Sequence, residues 1–547
     1  MEANQNKAEG FLKQGSILAA ASILVRLIGM FYRIPLANII GDAGNGIYSA
    51  AFEVYNILLI ISSYGMPMAV SKMVSAKCTK KEYKGAYRVF RYSMVFSIFS
   101  GGLMALFVFF GAGWIEKTFF SSFQGISIPL RVLAPTIFVV AVMGTLRGLF
   151  QGKNTMLPTA VSQILEQIVN AVVSIVAAYY LMSDHSASKN LSAWGAAGGT
   201  VGTLLGAASA LLFLGMIYTL YRPVLRRQAR RDRITPRESA ADYYKLILWT
   251  VIPIILSQTV YQLSGIIDVT IFNFAMEARG VNATVISTLQ GIYSTKYRLL
   301  VSVPIAVSTA IASSMIPSLV ASVTTGDRRA IKDKVTMAVK FNMIIAFPSA
   351  VGLAILAQPI IRLLFPASDY VTGGMMLMTG STCIIFYALS TVTSGVLQSI
   401  DRMKLPVIHS LISLAIHVVV VFTLLRFTGM GAYVLVFGNV TYPLVVCFLN
   451  GRSVSRSLGF KQEVVKTFCV PFLSSVVMGI LTFVVYELFF IVSHRIYVAI
   501  VPALVVAVAS YFALVLKLQG LSRSELYEFP MGRKMSIVAD KFHLLND

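Results

Sequence analysis

The sequence predicts an all-α polytopic membrane protein of about 14 transmembrane helices, and three observations carry that prediction. Of 547 residues, 56% are hydrophobic and only 13% are charged, whereas about a quarter of a soluble domain is charged. The mean hydropathy is +0.76. Apolar runs of the length a membrane helix needs, roughly 20 residues, recur along the chain, and none shows the apolar/polar alternation of a barrel strand.

Charge clusters and Gly/Pro or Asn/Asp turns separate the runs. The approximate spans are 15–40, 46–71, 92–113, 128–150, 157–182, 194–220, 246–275, 286–322, 337–357, 371–399, 405–425, 431–450, 467–492 and 495–517. The connections alternate in charge. Lys72, Lys77, Lys80, Lys81, Lys84, Arg88 and Arg91 lie between the second and third spans, and Arg222, Arg226, Arg227, Arg230, Arg231, Arg233, Arg237 and Lys245 between the sixth and seventh. Arg328, Arg329, Lys332, Lys334 and Lys340 follow the eighth; Arg452, Arg456, Lys461 and Lys466 follow the twelfth. The intervening loops hold little more than Lys117, Lys189 and Arg279. Basic loops face the cytoplasm, so both termini are expected there and the helix count should be even.

An internal repeat divides the spans. The tetrapeptide Gly46–Ser49 recurs as Gly291–Ser294. Residues 147–158 (RGLFQGKNTMLP) parallel 394–406 (SGVLQSIDRMKLP), pairing Gly148 with Gly395 and Pro158 with Pro406. Two six-helix repeats in the same orientation, plus two appended C-terminal helices, follow, and such duplication is a transporter design with the substrate between the halves. The expected organisation is an N-terminal lobe at 1–220, a basic cytoplasmic linker at 221–245, a C-terminal lobe at 246–450, and the appended helices and tail at 451–547.

The net charge of +23 would suggest nucleic acid on a soluble protein. Here cytoplasmic loops against anionic lipid explain it, and no nucleic-acid-binding motif is present. Cys78, Cys383, Cys447 and Cys469 are scattered without disulfide or metal spacing. The five histidines form no cluster, so the sequence offers no catalytic constellation and no metal site, and an enzyme is not expected. The first apolar stretch is too long, and carries arginine inside it, for a cleaved signal peptide.

Charges inside the spans are the functional signal, because each costs roughly 2.5–3.5 kcal/mol at mid-bilayer on insertion scales. Arg26 and Arg33 sit two helical turns apart on one face, with Gly29 between them leaving room. Lys296 and Arg298, two apart, point to different faces. The spans hold fewer acids than bases, so the excess positive charge argues for an anionic substrate rich in oxygen. Arginine suits phosphate because its fork donates two hydrogen bonds at once. Arg147, near a helix end, reads as a snorkelling cation. Glu53 and Glu166 read as neutralising partners for arginines. Asp268, deep in an apolar run, could be an ion-pair partner, a protonated acid or a cation ligand, and Asp401, at a helix corner, reads as a turn or cap residue. Glu487 suggests no role.

Residues 65–76 (GMPMAVSKMVSA), 148–167 (GLFQGKNTMLPTAVSQILEQ) and 293–322 resemble the SpoVB/YtgP branch of the MurJ lipid II flippases. That family lies in the superfamily of multidrug, oligosaccharidyl-lipid and polysaccharide exporters. The resemblance spans nearly the whole chain and implies flipping of an undecaprenyl-pyrophosphate-linked peptidoglycan precursor across the bacterial plasma membrane. It implies Arg26, Arg33 and Arg298 as substrate-binding residues, and Asp268 and Asp401 as cation-binding residues. No cofactor is implied, but coupling to Na⁺, H⁺ or the membrane potential is. The implied partners are the lipid-linked glycan pyrophosphate and membrane lipids, with the chain a monomer. A flippase for another lipid-linked oligosaccharide is the alternative. A multidrug-type exporter of organic cations is disfavoured by the basic interior.

Overall fold

The computed structural model describes residues 2–235, 238–459, 462–528, 536–537 and 540–541. Arg237 and Lys461, counted above among the basic loop residues, lie outside the described residues. Every regular element among the described residues is a helix. Eleven helices are long and apolar enough to cross a membrane, or twelve if a pair bent by 43° counts as one span. The expected fourteen is reached only by counting Ala21–Thr79 as two spans and adding the helix Ala240–Ala278.

The chain forms two compact units, Met1–Gly291 and Ile292–Asp547. In the first, α1 (Glu2–Leu59) contains the first expected span and most of the second. No loop separates them. The chain turns at Gly41, whose φ of 69° and ψ of 175° belong to a region open essentially to glycine. The Asn45 amide donates to the carbonyls of Ala37 at 2.9 Å and Gly41 at 2.6 Å. It thereby satisfies acceptors that the broken ladder would leave unpaired. A π-helical turn, Ile60–Tyr64, then leads into α2 (Met66–Thr79).

Next come α3 (Tyr83–Phe119), α4 (Ser127–Gly152), α5 (Leu157–Asp184) and α6 (Leu191–Arg231). Between helices in lipid, close contact rather than hydrophobic expulsion drives packing, and small residues allow it. Gly144, Gly148 and Gly152, each four residues on from the last, press α4 onto α2. A Cβ at Gly148 would lie 2.7 Å from the Val70 Cβ, and one at Gly152 would lie 2.8 Å from the Val74 Cβ. Around this seam Met66, Val70, Val74, Val89, Met143 and Leu149 are buried together.

The expected linker at 221–245 is mostly helix. α6 runs unbroken to Arg231, and α7 (Ala240–Ala278) begins with a capping box between Ser239 and Asp242. The short connection is held by its acids. Asp232 accepts from the Lys84 amide at 2.7 Å, Thr235 accepts from the Gly85 amide at 3.2 Å, and Lys77 bridges Glu238 at 2.7 Å and Glu82 at 2.8 Å. Burial would raise the Asp232 carboxyl, but hydrogen bonds from Thr235 and three backbone amides hold it at about 2.

The repeat shows as a reciprocal contact. α8 (Ala283–Ile292) crosses α1 so closely that a Cβ at Gly46 would run into the Ser287 carbonyl, while one at Gly291 would run into the Asp42 carbonyl. Gly46 and Gly291 are equivalent in the repeat, and the same offset relates Asp42 to Ser287. Such exchange, i to j and j to i, is the signature of a two-fold contact. The second matched segment behaves alike. Asn154 and Asp401 both take positive φ, 58° and 60°. The amide of Thr155 reaches the Phe150 carbonyl, and that of Arg402 reaches the Leu397 carbonyl. Both helices therefore end in the same left-handed turn, a position asparagine and aspartate tolerate.

The second unit opens with a π-helical turn, Tyr293–Arg298, then α9 (Leu299–Thr325) and α10 (Arg328–Ile355). The short α11 (Ala357–Leu364) precedes α12 (Tyr370–Gly380) and α13 (Cys383–Ser399), the bent pair that replaces one straight expected span. After α14 (Lys404–Phe427) and α15 (Tyr433–Leu458), the appended α16 (Val470–Ser493) and α17 (Ile496–Lys517) pack on α10. Phe341, Ile344, Met478 and Tyr511 form that core, and the Tyr511 hydroxyl donates to the Ile344 carbonyl at 2.7 Å. A final turn of helix, α18 (Arg523–Glu528), tucks Leu521 and Leu526 into the same core. There Glu525 meets the buried Lys340 at 2.8 Å.

Candidate functional site

Arg26 and Arg33 both lie on the first arm of α1 and both are exposed. The room expected at Gly29 is taken by Gln167 of α5, whose amide nitrogen would lie 2.9 Å from a Cβ at that glycine. Nearby polar groups stiffen the arm. Tyr32 is buried and accepts from the Asn170 amide at 3.3 Å, and Arg33 is within electrostatic reach of Tyr48.

Arg298 ends the π-helical turn of the second unit. Such turns widen the helix locally and concentrate at functional positions. Lys296 is 1% exposed, its ammonium 4.6 Å from the centre of the Phe365 ring and 3.1 Å from the Thr295 hydroxyl. Arg298 is exposed. Tyr297 is anchored inward, donating to the Gly380 carbonyl at 3.2 Å and accepting from Asn439 at 2.9 Å, while Asn439 accepts from Tyr387 at 2.9 Å. This network, drawn from helices far apart in sequence, fixes the turn that presents Arg298. Sequence reading missed it, because none of its members is charged.

Asp268 of α7 is buried, at 7% exposure. One helical turn before it, Gly265 packs against the carboxyl of Glu53, whose Cδ would lie 2.8 Å from an added Cβ. Glu53 of α1 thus meets α7 one turn away from Asp268. Asp401 lies in the second unit, exposed, in the left-handed turn that ends α13.

Arg147 does not snorkel. Its side chain is 12% exposed, donates to the Ser162 hydroxyl at 3.0 Å and pairs with Glu166 at 2.7 Å. α5 brings Glu166 back beside α4, so the charge is met inside the bundle, and Glu166 has the neutralising role expected of it. Gln290, beside the reciprocal glycine contact, is buried with no hydrogen-bond partner for either side-chain polar atom among the described residues. No group of three or more His, Cys, Asp or Glu side chains able to hold a metal occurs among the described residues.

The profile of the polysaccharide biosynthesis protein family matches residues 11–323. Lipid II flippase MurJ of Bacillus subtilis (strain 168) is 23% identical over 491 residues, covering 88% of this chain and 89% of that protein. Stage V sporulation protein B of the same organism is 22% identical, covering 86% and 88%. Among solved structures, lipid II flippase MurJ in an inward closed conformation superposes with a TM-score of 0.64 at 16% identity, over 92% of this chain and 98% of that one. An inward-facing multidrug resistance MATE family transporter of the MOP superfamily gives 0.62 at 16% identity, over 81% and 98%. The fold is therefore the one these transporters share.

Proposed function

Because the chain belongs to the polysaccharide biosynthesis protein family, we propose that this multi-pass membrane protein is a flippase for a lipid-linked glycan precursor. The precursor class is a prenyl pyrophosphate bearing peptidoglycan units, of the lipid II type, moved across the plasma membrane by alternating access. The observation that carries the reading is the exposure of Arg26, Arg33 and Arg298 on helices of membrane-spanning length. Exposed guanidinium groups in such helices are tolerated where water fills the space beside them. A diphosphate accepts their paired donors and offsets the cost of keeping them there. Asp268 is assigned the coupling role, binding a cation or proton whose entry from one side biases the cycle. One charge moved through 100 mV contributes about 2.3 kcal/mol. Both termini are placed in the cytoplasm, where the basic loops lie.

Complementation of cells depleted of their lipid II flippase tests the reading, with lipid II sidedness and membrane expression measured together. Arg26→Ala and Arg298→Ala should express normally and fail to complement. Arg26→Lys should complement partly, since lysine keeps charge and loses the fork. Parent-like complementation by both alanine variants sinks the assignment. The second reading, another lipid-linked oligosaccharide as substrate, accords with the family's description as polysaccharide biosynthesis proteins. It is the answer if the parent chain leaves lipid II sidedness unchanged yet restores export of such a glycan.

A further inference from the structure

A second polar feature lies apart from the arginines of α1. Between α2 and α4 the first unit encloses a cleft of about 680 Å³, within the range of about 300–1,000 Å³ typical of small-molecule sites. Its two walls are helix stripes. Ser63, Pro67, Ser71 and Ser75 follow one another at four-residue steps on the first, and Val140, Gly144, Arg147 and Gln151 climb the second. Gly144, the first glycine of the seam, lines it, so the cleft is built beside the helix crossing.

The lining is graded along its length. Leu59, Met68, Val140 and Met143, with Ser63 among them, make the end before Lys72 in the chain largely apolar. Lys72, Ser75, Gln151 and Asn154 make the other end polar, next to the turn that ends α4 and the basic segment after α2. The Arg147 charge is met by Glu166. Lys72 is exposed, with no acid in ion-pair distance among the described residues. The cleft therefore carries one net positive charge at its polar mouth. A cytoplasmic-leaflet lipid has the same polarity, head at the basic face and chain toward mid-bilayer.

We propose that this cleft binds one anionic phospholipid, its phosphate at Lys72 and Ser75 and an acyl chain along Leu59, Met68 and Val140. The site is independent of the substrate assigned above. It gives the cytoplasmic end of the α2–α4 crossing a lipid-dependent stability.

Native mass spectrometry of the full chain in neutral detergent tests it, counting retained lipid during titration with phosphatidylglycerol, phosphatidylcholine or inorganic phosphate. One phosphatidylglycerol per chain should be retained in preference to phosphatidylcholine. Lys72→Gln, which removes the charge, and Ser71→Trp, which fills the cleft, should each weaken retention at least fivefold. Lys84→Gln, in the same basic segment but outside the cleft, should bind like the parent. Parent-like retention in both cleft variants, equal loss in Lys84→Gln, equal retention of phosphatidylcholine, or displacement by inorganic phosphate alone overturns the proposal.

Discussion

At the scale of single residues, Asp401 shows how one position can carry two readings that a substitution separates. Its left-handed φ of 60° suits aspartate, asparagine or glycine and strains a β-branched side chain. Asp401→Asn should keep the turn and the folded yield; Asp401→Val should lower thermal stability. If Asp401 is also a cation ligand, as the family resemblance implies, Asp401→Asn abolishes ion-dependent stabilisation while leaving the basal melting temperature within a degree or two. A variant that keeps both measurements unchanged makes Asp401 a turn residue alone. The turn itself was legible, because an aspartate between two apolar helical runs is a turn residue. The partner of Arg147 was not. Glu166 is nineteen residues away on the next helix, and only the crossing of α4 and α5 decides that the two charges meet.

Individual elements show the same limit on long-range electrostatics. α18 is a short helix held by the buried Leu521 and Leu526 and by an ion pair between Lys340 and Glu525, 185 residues apart. Burial would raise the Glu525 carboxyl, but Lys340 and the capping Ser522 hold it below the ordinary carboxylate value of about 4.3. A depressed carboxylate contributes stability above its unfolded value, and the contribution is lost as pH falls through its folded value. The protection of amides in residues 518–528, taken against the intrinsic exchange rate at each pH, should therefore fall on acidification below about pH 4 relative to neutral. Glu525→Gln should show the lower protection at both pH values. A pH-independent parent excludes the clamp. The α2–α4 seam, by contrast, was half legible. Glycines at 144, 148 and 152 announce a close helix contact, but nothing local says which helix approaches.

The whole molecule is where sequence and structure agree best, since apolar length and a duplicated motif are properties that composition and order express directly. The exceptions are boundaries. Span one flows into span two through Gly41, and the basic linker is mostly the end of α6; helix propensity continued where polarity suggested a loop. The reciprocal contact of Gly46 with Ser287 and Gly291 with Asp42 gives a global prediction. Gly46→Ala and Gly291→Ala should each lower the melting temperature and the folded yield, because either methyl group meets the backbone of the crossing helix, and parent-like melting of both variants excludes the close crossing. The same contact also has a historical meaning. A surface that meets its own copy around a two-fold axis is what a homodimer possesses before its two genes are joined, and a fused pair keeps it as an inherited seam. Once the halves share one chain they are free to diverge, so one can gather arginines and the other lose them without breaking the symmetry that holds the seam. Arg26 and Arg33 in one repeat against Lys296 and Arg298 in the other show that charge has diverged at positions where the glycine contact has not.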